Sequence, residues 1–415
     1  MSHTRIITTI IFFAITAVCL SQNNTLSPYS RYGYGELQSQ SFAATQSMGG
    51  LGYGIRDKRN INPMNPASYT SIDSLTFMMD IGVSGVVDGL NTGDASFTQF
   101  TGNLDYVAFQ FPLWKFMAVS FGILPYSSVG YDYTSTSTQD PYEEPDSLLS
   151  VKQSFYGTGG FTQVYLGLSF DILNRVAIGI NGRYMFGNIK HIRQVTFPEE
   201  NLYVGTTQTT ALYSNSFLCD LGLQYHQPIG NDELVIGGTY AFKLPMNITS
   251  QITTITNTTV TDDTKNDFDY PQTIGVGASY RIGEMVLVGA DYSWQNFKDT
   301  RYYGSTDALA NRSKCAIGIE YVPKVNSKKY YETMCYRLGA NYSNSYVKVN
   351  GAYYNEFAIT MGIGFPLFSS LTTLNLLLEY GQRGSVSTTK LLEQYFKIGL
   401  NVSLNERWFV KRKFN

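Results

Sequence analysis

Two groups of carboxylates in this 415-residue chain have spacing that could do chemistry. Asp140, Glu143, Glu144 and Asp146 form one, and Asp262, Asp263, Asp267 and Asp269 the other. Several oxygens so close together could surround Ca²⁺, although polar loops carry such runs as solvated charge. A third set stands apart. Asp80, Arg183, Asp220, Asp291, Glu320, Arg337, Glu379 and Lys397 each sit singly inside a run that alternates apolar and small residues. The rest of the catalytic inventory is thin. His191 and His226 lie far apart without cysteine pairs, which gives no zinc spacing. No G-x-S-x-G elbow, P-loop or complete G-x-G-x-x-G is present, since Gly50-Leu51-Gly52-Tyr53-Gly54 lacks the third glycine at its required place. The expectation is a protein that is not an enzyme and needs no metal or cofactor.

What must position those single charges is a set of strands. In the last run Phe396, Ile398, Leu400, Val402 and Leu404 alternate with Lys397, Gly399, Asn401 and Ser403. A period of two puts one set on each face of a strand. The pattern recurs over 75–85, 104–111, 116–123, 164–170, 176–186, 217–225, 234–242, 274–280, 286–294, 315–321, 336–342, 357–365, 374–380 and 396–404. Lipid on the apolar face and a polar lumen on the other account for it. The fold class is therefore all-β, a transmembrane antiparallel β-barrel of about 14 strands, with the eight single charges facing the lumen. An ion in mid-strand cannot face hydrocarbon at acceptable cost, so most of these charges should join lumen networks that hold the N-terminal segment, with a minority left to bind a ligand headgroup.

Bulk composition agrees. The charged fraction is 15%, against roughly 25% in soluble domains, and Tyr (32), Phe (25) and Gly (38) are abundant. A net charge of −2 argues against nucleic acid as a partner, which would need a basic surface. No stretch beyond residue 21 approaches the ~20 apolar residues of a spanning helix.

Connections alternate between short turns and long polar stretches at 87–102, 127–159, 188–211, 248–270, 299–311, 346–354 and 383–394. In such barrels the turns are periplasmic and the long loops extracellular, so both termini fall in the periplasm of the bacterial outer membrane. A propeller's four-strand blades would not give this alternation. Residues 1–21 read as a signal peptide, with Arg5, an apolar core from Ile6 to Val18, and Cys19-Leu20-Ser21 as the cleavage site. The remaining cysteines, Cys219, Cys315 and Cys335, are odd in number and imply no disulfide framework. The barrel then occupies 75–409, followed by a short periplasmic tail at 410–415.

Residues 22–74 fit no strand ladder. They are rich in glycine, yet carry Phe42, Met48, Leu51, Ile55, Ile61 and Met64, which need somewhere to pack. A hatch, or plug, folded into the lumen would use both. Ser47-Met48-Gly49-Gly50 followed by Asn65-Pro66-Ala67 resembles the FadL-type outer-membrane transport family. Ser30-Arg31-Tyr32-Gly33, the run from Asn65 to Tyr69 and the terminal Arg407-Trp408-Phe409 resemble that family's branch in Bacteroidetes-type bacteria. The resemblance implies a fourteen-stranded barrel whose N-terminal hatch gates passive uptake of hydrophobic small molecules such as long-chain fatty acids. Gly49, Gly50, Asn65, Pro66 and Ala67 are its hatch motif. Expected partners are outer-membrane lipid and a hydrophobic ligand. The alternative is a non-transporting barrel subunit of a larger outer-membrane assembly, in barrel assembly or protein secretion, with other subunits as partners. The two differ in the lumen: a channel needs an apolar path, whereas a structural subunit can be filled solid.

Overall fold

The computed structural model describes residues 25–93, 95–139, 149–197, 204–264, 267–324, 327–349, 351–367 and 372–407. The expected signal peptide, the carboxylates from Asp140 to Asp146 and the tail beyond Arg407 lie outside these. Fourteen antiparallel strands form the wall. The first seven are β1 (Thr76–Asn91), β2 (Ser96–Trp114), β3 (Met117–Gln139), β4 (Leu149–Ile172), β5 (Val176–Thr196), β6 (Thr206–Ile229) and β7 (Asp232–Ala241). The second seven are β8 (Gln272–Ile282), β9 (Val286–Asn296), β10 (Arg312–Tyr321), β11 (Cys335–Asn344), β12 (Asn355–Pro366), β13 (Thr373–Ser385) and β14 (Leu391–Arg407). Neighbours in sequence pair throughout, and β14 pairs back onto β1 from Leu392 opposite Asn91 to Arg407 opposite Thr76, which closes the barrel.

The period-two alternation does what a membrane wall requires. On β14, Ile398 and Leu400 are 46% and 47% exposed, while Asn401 and Ser403 are 1% exposed. Trp114 and Phe116 ring the short-turn end of the outer surface, and Phe97, Phe100 and Phe217 stand out toward the other end, as aromatic girdles do. Among the described residues no helix is long and apolar enough to cross a membrane. The strands do the crossing.

The strands outrun the periodicity that announced them. β3 has 23 residues and β4 and β6 have 24 each. Most of the expected loop at 127–159, and 188–196 with 206–211, is ladder rather than loop. A hairpin of Ile248–Ile255 and Thr259–Thr264 adds to the long-loop end of β6. Above the membrane neither face meets lipid, so the apolar alternation stops while the hydrogen-bonded ladder continues. The bent ends bury an aromatic cluster that includes Tyr34, Tyr126, Phe161, Phe268, Phe297 and Tyr346.

Inside the barrel, residues 25–74 adopt short elements only: a 3₁₀ turn Pro28–Arg31, the two-residue strand Glu36–Leu37 against β3, one helical turn Ala43–Gln46 and a 3₁₀ turn Pro66–Ser71. Their apolar side chains pack on inward wall residues, Phe42 and Ile61 with Met78 and Tyr106, and Met48, Leu51 and Ile55 with Leu287 and Ala316. Phe42 stacks on Tyr106 with centroids 3.7 Å apart.

Candidate functional site

The lumen is the place to look, and its wall is shaped by glycine. Nine successive strands, β4 to β12, each present an inward glycine to the N-terminal segment. A Cβ on Gly179 would lie 2.4 Å from the Pro66 carbonyl carbon, on Gly222 2.3 Å from Asn65 Oδ1, on Gly318 2.4 Å from the Met48 carbonyl oxygen, and on Gly339 2.1 Å from the Gly49 nitrogen. Gly167, Gly237, Gly277, Gly289 and Gly362 complete the track against Tyr69, Tyr53, Gly54, Leu51 and Ser47. Register explains its continuity: Gly289, Gly318 and Gly339 stand directly opposite one another on β9, β10 and β11. The segment therefore rests on wall backbone, not on side-chain tips.

The motif residues sit on this track. Asn65 caps the turn Pro66–Ser71: its Oδ1 accepts from Ala67 N at 3.1 Å, and its Nδ2 donates to the Tyr53 carbonyl at 2.8 Å and the Leu223 carbonyl at 3.3 Å. Pro66 supplies the turn's first position, where a fixed φ and a missing N–H cost nothing. Ala67 is fully buried, and its carbonyl accepts from Ser169 Oγ at 3.0 Å and Arg56 Nη1 at 3.2 Å. Gly49 and Gly50 both have φ near +80°, a region that excludes most side chains. Gly49 N donates to Thr360 Oγ1 at 2.8 Å.

The eight single charges divide among several networks. Toward the short-turn end, Glu320 accepts from Arg337 Nε at 2.7 Å and Arg59 Nη2 at 3.1 Å, with Arg281 at 3.7 Å. Arg337 continues through Asn375 (2.8 Å) to Asn401, which donates to Asp80. Asp57 joins through Arg59 at 3.5 Å. Burial pushes the Asp57 carboxyl up, but Arg59, Arg281 and hydrogen bonds from Arg59 N and Asn60 outweigh it and hold it well below the usual carboxylate range. Arg183 pairs with Asp220 at 2.5 Å, and Asn181 links Asp220 to the Tyr69 hydroxyl. Asp291 accepts the backbone N–H groups of Gly52 and Tyr53 at 2.6 and 2.9 Å. Glu379 accepts from Gln46 at 3.1 Å and Tyr395 at 3.0 Å, and Lys397 pairs with Asp105 at 3.2 Å. Nearly all of these contacts tie wall to N-terminal segment or strand to strand.

Several partners carried no signal in the sequence. Arg56 reaches Asp171 on β4 at 3.1 Å. Arg383 holds Glu36, Glu356 and Glu393 at 2.5, 2.9 and 2.9 Å, and Ser27 donates to Glu393. Arg56 and Arg59 lie in irregular chain and Glu36 in a strand of two residues, where no period marks an inward side. Glu356, Arg383 and Glu393 lie on strand ends beyond the lipid-facing alternation. Of the second carboxylate group, Asp267 and Asp269 are each held by Arg301 at 2.6 Å, and Asp262 and Asp263 are exposed. Among the described residues no three metal-ligating side chains converge.

The space left beside the segment is a cavity of about 220 Å³. Arg183, Arg312, Lys314, Arg383 and Lys397 line it together with Glu36, Asp88, Asp220, Asp291, Glu356 and Glu379. A hydrocarbon there would meet Leu37, Met64, Val86, Tyr126 and Tyr270, but would strip water from the charges among them. The aromatic cluster closes over the long-loop side, where Tyr34 N donates to Tyr346 Oη at 3.0 Å and Tyr346 Oη to the Gly35 carbonyl at 2.5 Å.

A family model described as BamG matches residues 1–415. A comparison with curated proteins finds no match. Among solved structures, the Pseudomonas putida toluene transporter TodX aligns with a TM-score of 0.60 at 14% identity, covering 90% of this chain and 99% of that one. The Ralstonia pickettii toluene transporter TbuX gives 0.59 at 14% identity over 90% and 100%. The CymD monoaromatic hydrocarbon channel gives 0.56 at 11% identity over 90% and 99%. At such identities the likeness speaks for the fold alone, a closed fourteen-stranded antiparallel barrel shared with these proteins. These neighbours are channels and transporters, not enzymes.

Proposed function

The chain belongs to the BamG family, and from that premise we propose that it is a non-transporting barrel subunit of a larger outer-membrane assembly, of the kind that inserts barrels or secretes proteins. The observation that carries the reading is the glycine track. A segment seated on inward glycines of nine strands, backbone on backbone at Gly179, Gly237, Gly277, Gly318 and Gly339, and bolted by Arg56, Arg59 and Asp291, acts as a fixed part of the wall. The many charges around the remaining cavity make it a costly place for an apolar solute.

A second reading has its own support. The barrel shares its fold with proteins named as toluene transporters and a hydrocarbon channel, and a cavity does remain. On that reading residues 22–74 are a hatch that gates passive uptake of hydrophobic molecules, fatty acids included. Both readings keep the long loops extracellular, both termini periplasmic, residues 1–21 as a cleaved signal and the Bacteroidetes-type lineage as our assignments.

Purification in mild detergent, beside uptake of labelled fatty acid and toluene by cells with and without the protein, tests the two. The subunit reading expects stable co-purifying outer-membrane proteins and unchanged uptake. A protein that purifies alone and raises uptake overturns it in favour of the channel.

A further inference from the structure

β3 leaves the barrel wall early. Its ladder with β2 runs only between Val107–Trp114 and Met117–Ile123, and past the irregularity at Pro125 its one partner in the barrel wall is β4. From there its other edge is open, and the chain covers the first part itself. Gln38 N donates to the Tyr126 carbonyl at 2.9 Å, and Glu36 and Leu37 pair with Ser128 and Ser127. Ser30 Oγ accepts from Gly130 N at 3.0 Å while sharing its one hydrogen between the carbonyls of Ser27 at 2.6 Å and Gly130 at 3.0 Å. Gly130 thus points its backbone groups to the free edge. Strand alternation sends those of Asp132, Thr134 and Thr136 the same way, and among the described residues no backbone group takes them.

We propose that this edge, Asp132 to Thr136, receives an extended segment of a partner protein as an added β-strand; the proposal rests on the subunit reading above. Unpaired N–H and C=O groups at strand spacing are a template for another strand and for little else. Natural edges are blocked by Lys, Pro or a cover. Residues 131–137, Tyr-Asp-Tyr-Thr-Ser-Thr-Ser, contain no Lys or Pro and a single charge, Asp132, and residues 134–137 are exposed and uncharged. The edge also accepts strand addition already, because Glu36–Leu37 is one. The added strand continues that short pairing outward along β3 on the long-loop side.

Proline at Thr136 removes only the edge-facing N–H and leaves the β3–β4 ladder intact, whereas Thr136→Ala changes only the side chain. The full-length protein is purified from its own membrane with each substitution, and photo-crosslinkers are placed at Tyr133, Ser135 and Ser137. The expected result is at least a tenfold loss of one co-purifying protein with Thr136→Pro and none with Thr136→Ala. The cross-links should fall in a single extended segment of that protein, advancing in step with the β3 position. Heat-modifiability of the barrel serves as the folding control. If the assembly survives Thr136→Pro intact, or the cross-links scatter, strand addition is wrong while the subunit reading stands. If nothing co-purifies with the wild type, the subunit reading falls first.

Discussion

The carbonyl oxygen of Tyr53 lies 1.8 Å from where a Cβ on Gly237 would stand, so only glycine lets the N-terminal segment lie on β7. One residue on, Gly238 faces outward, and a Cβ there meets nothing nearer than the Gly275 carbonyl at 3.9 Å. Gly237→Ala should therefore lower the yield and thermal midpoint of the folded barrel, costing roughly 1–3 kcal/mol or more. Gly238→Ala should be neutral within about 0.5 kcal/mol. Heat-modifiability on gels reads both, and equal behaviour would mean that the segment does not rest on that wall.

Glu320 gathers three guanidinium groups, while Arg337 is one donor among three. Removing the hub strands more charge than removing a spoke. Glu320→Gln should cost about 3–5 kcal/mol, the penalty of buried unpaired ions, and Arg337→Met distinctly less, because Arg59 and Arg281 still neutralise Glu320. Urea or thermal unfolding in detergent gives the order. A larger loss for Arg337→Met would show that Glu320 is not the centre of the network.

If residues 22–74 were a movable hatch, deleting 42–56 would leave a folded, permeable barrel. The structure leads to the opposite expectation. That deletion removes Phe42 from Tyr106, Arg56 from Asp171 and the two N–H donors from Asp291. The truncated chain should fail to give heat-modifiable barrel at wild-type levels. Full folding together with liposome leakage would restore the hatch.

On the long-loop side Asp269 is held by Arg301. Burial pushes its carboxyl up, but the Arg301 side chain and backbone N–H outweigh that and bring it below its ordinary value. A depressed carboxyl contributes stability that is present above the unfolded value near 4 and is lost as pH falls through the folded one. Protease resistance of this surface should be flat from pH 5 to 8 and decline only in stronger acid, and Asp269→Asn should remove that acid step. An unchanged decline in the variant would assign it to other carboxylates.

Orientation has a direct test. A single cysteine at Thr261 should react with an impermeant thiol reagent on intact cells and one at Gly230 should not; the reverse labelling would invert the topology.

Much of the barrel was determined by sequence alone. Hydrocarbon outside and a polar lumen inside impose a period of two on each spanning strand, so Ile398 and Leu400 against Asn401 and Ser403 declare their faces without coordinates. The same reasoning marks Asp80 or Glu320 as inward, because an ion cannot face lipid. Tertiary structure decided the rest. Where strands rise above the membrane the two-sided solvent vanishes, and β3 and β4 run on past the end of their alternation. Partners such as Arg59 and Glu36 lie in chain without a period, so their contacts depend on the path of the segment through the lumen. Asn401 shows the limit most plainly: sequence places it on the lumen face, but only the fold buries it between Asn375 and Asp80. The glycines were visible in every strand from β4 to β12. Only register, which sets them side by side, makes them one track, and register is a property of the closed sheet rather than of any strand within it.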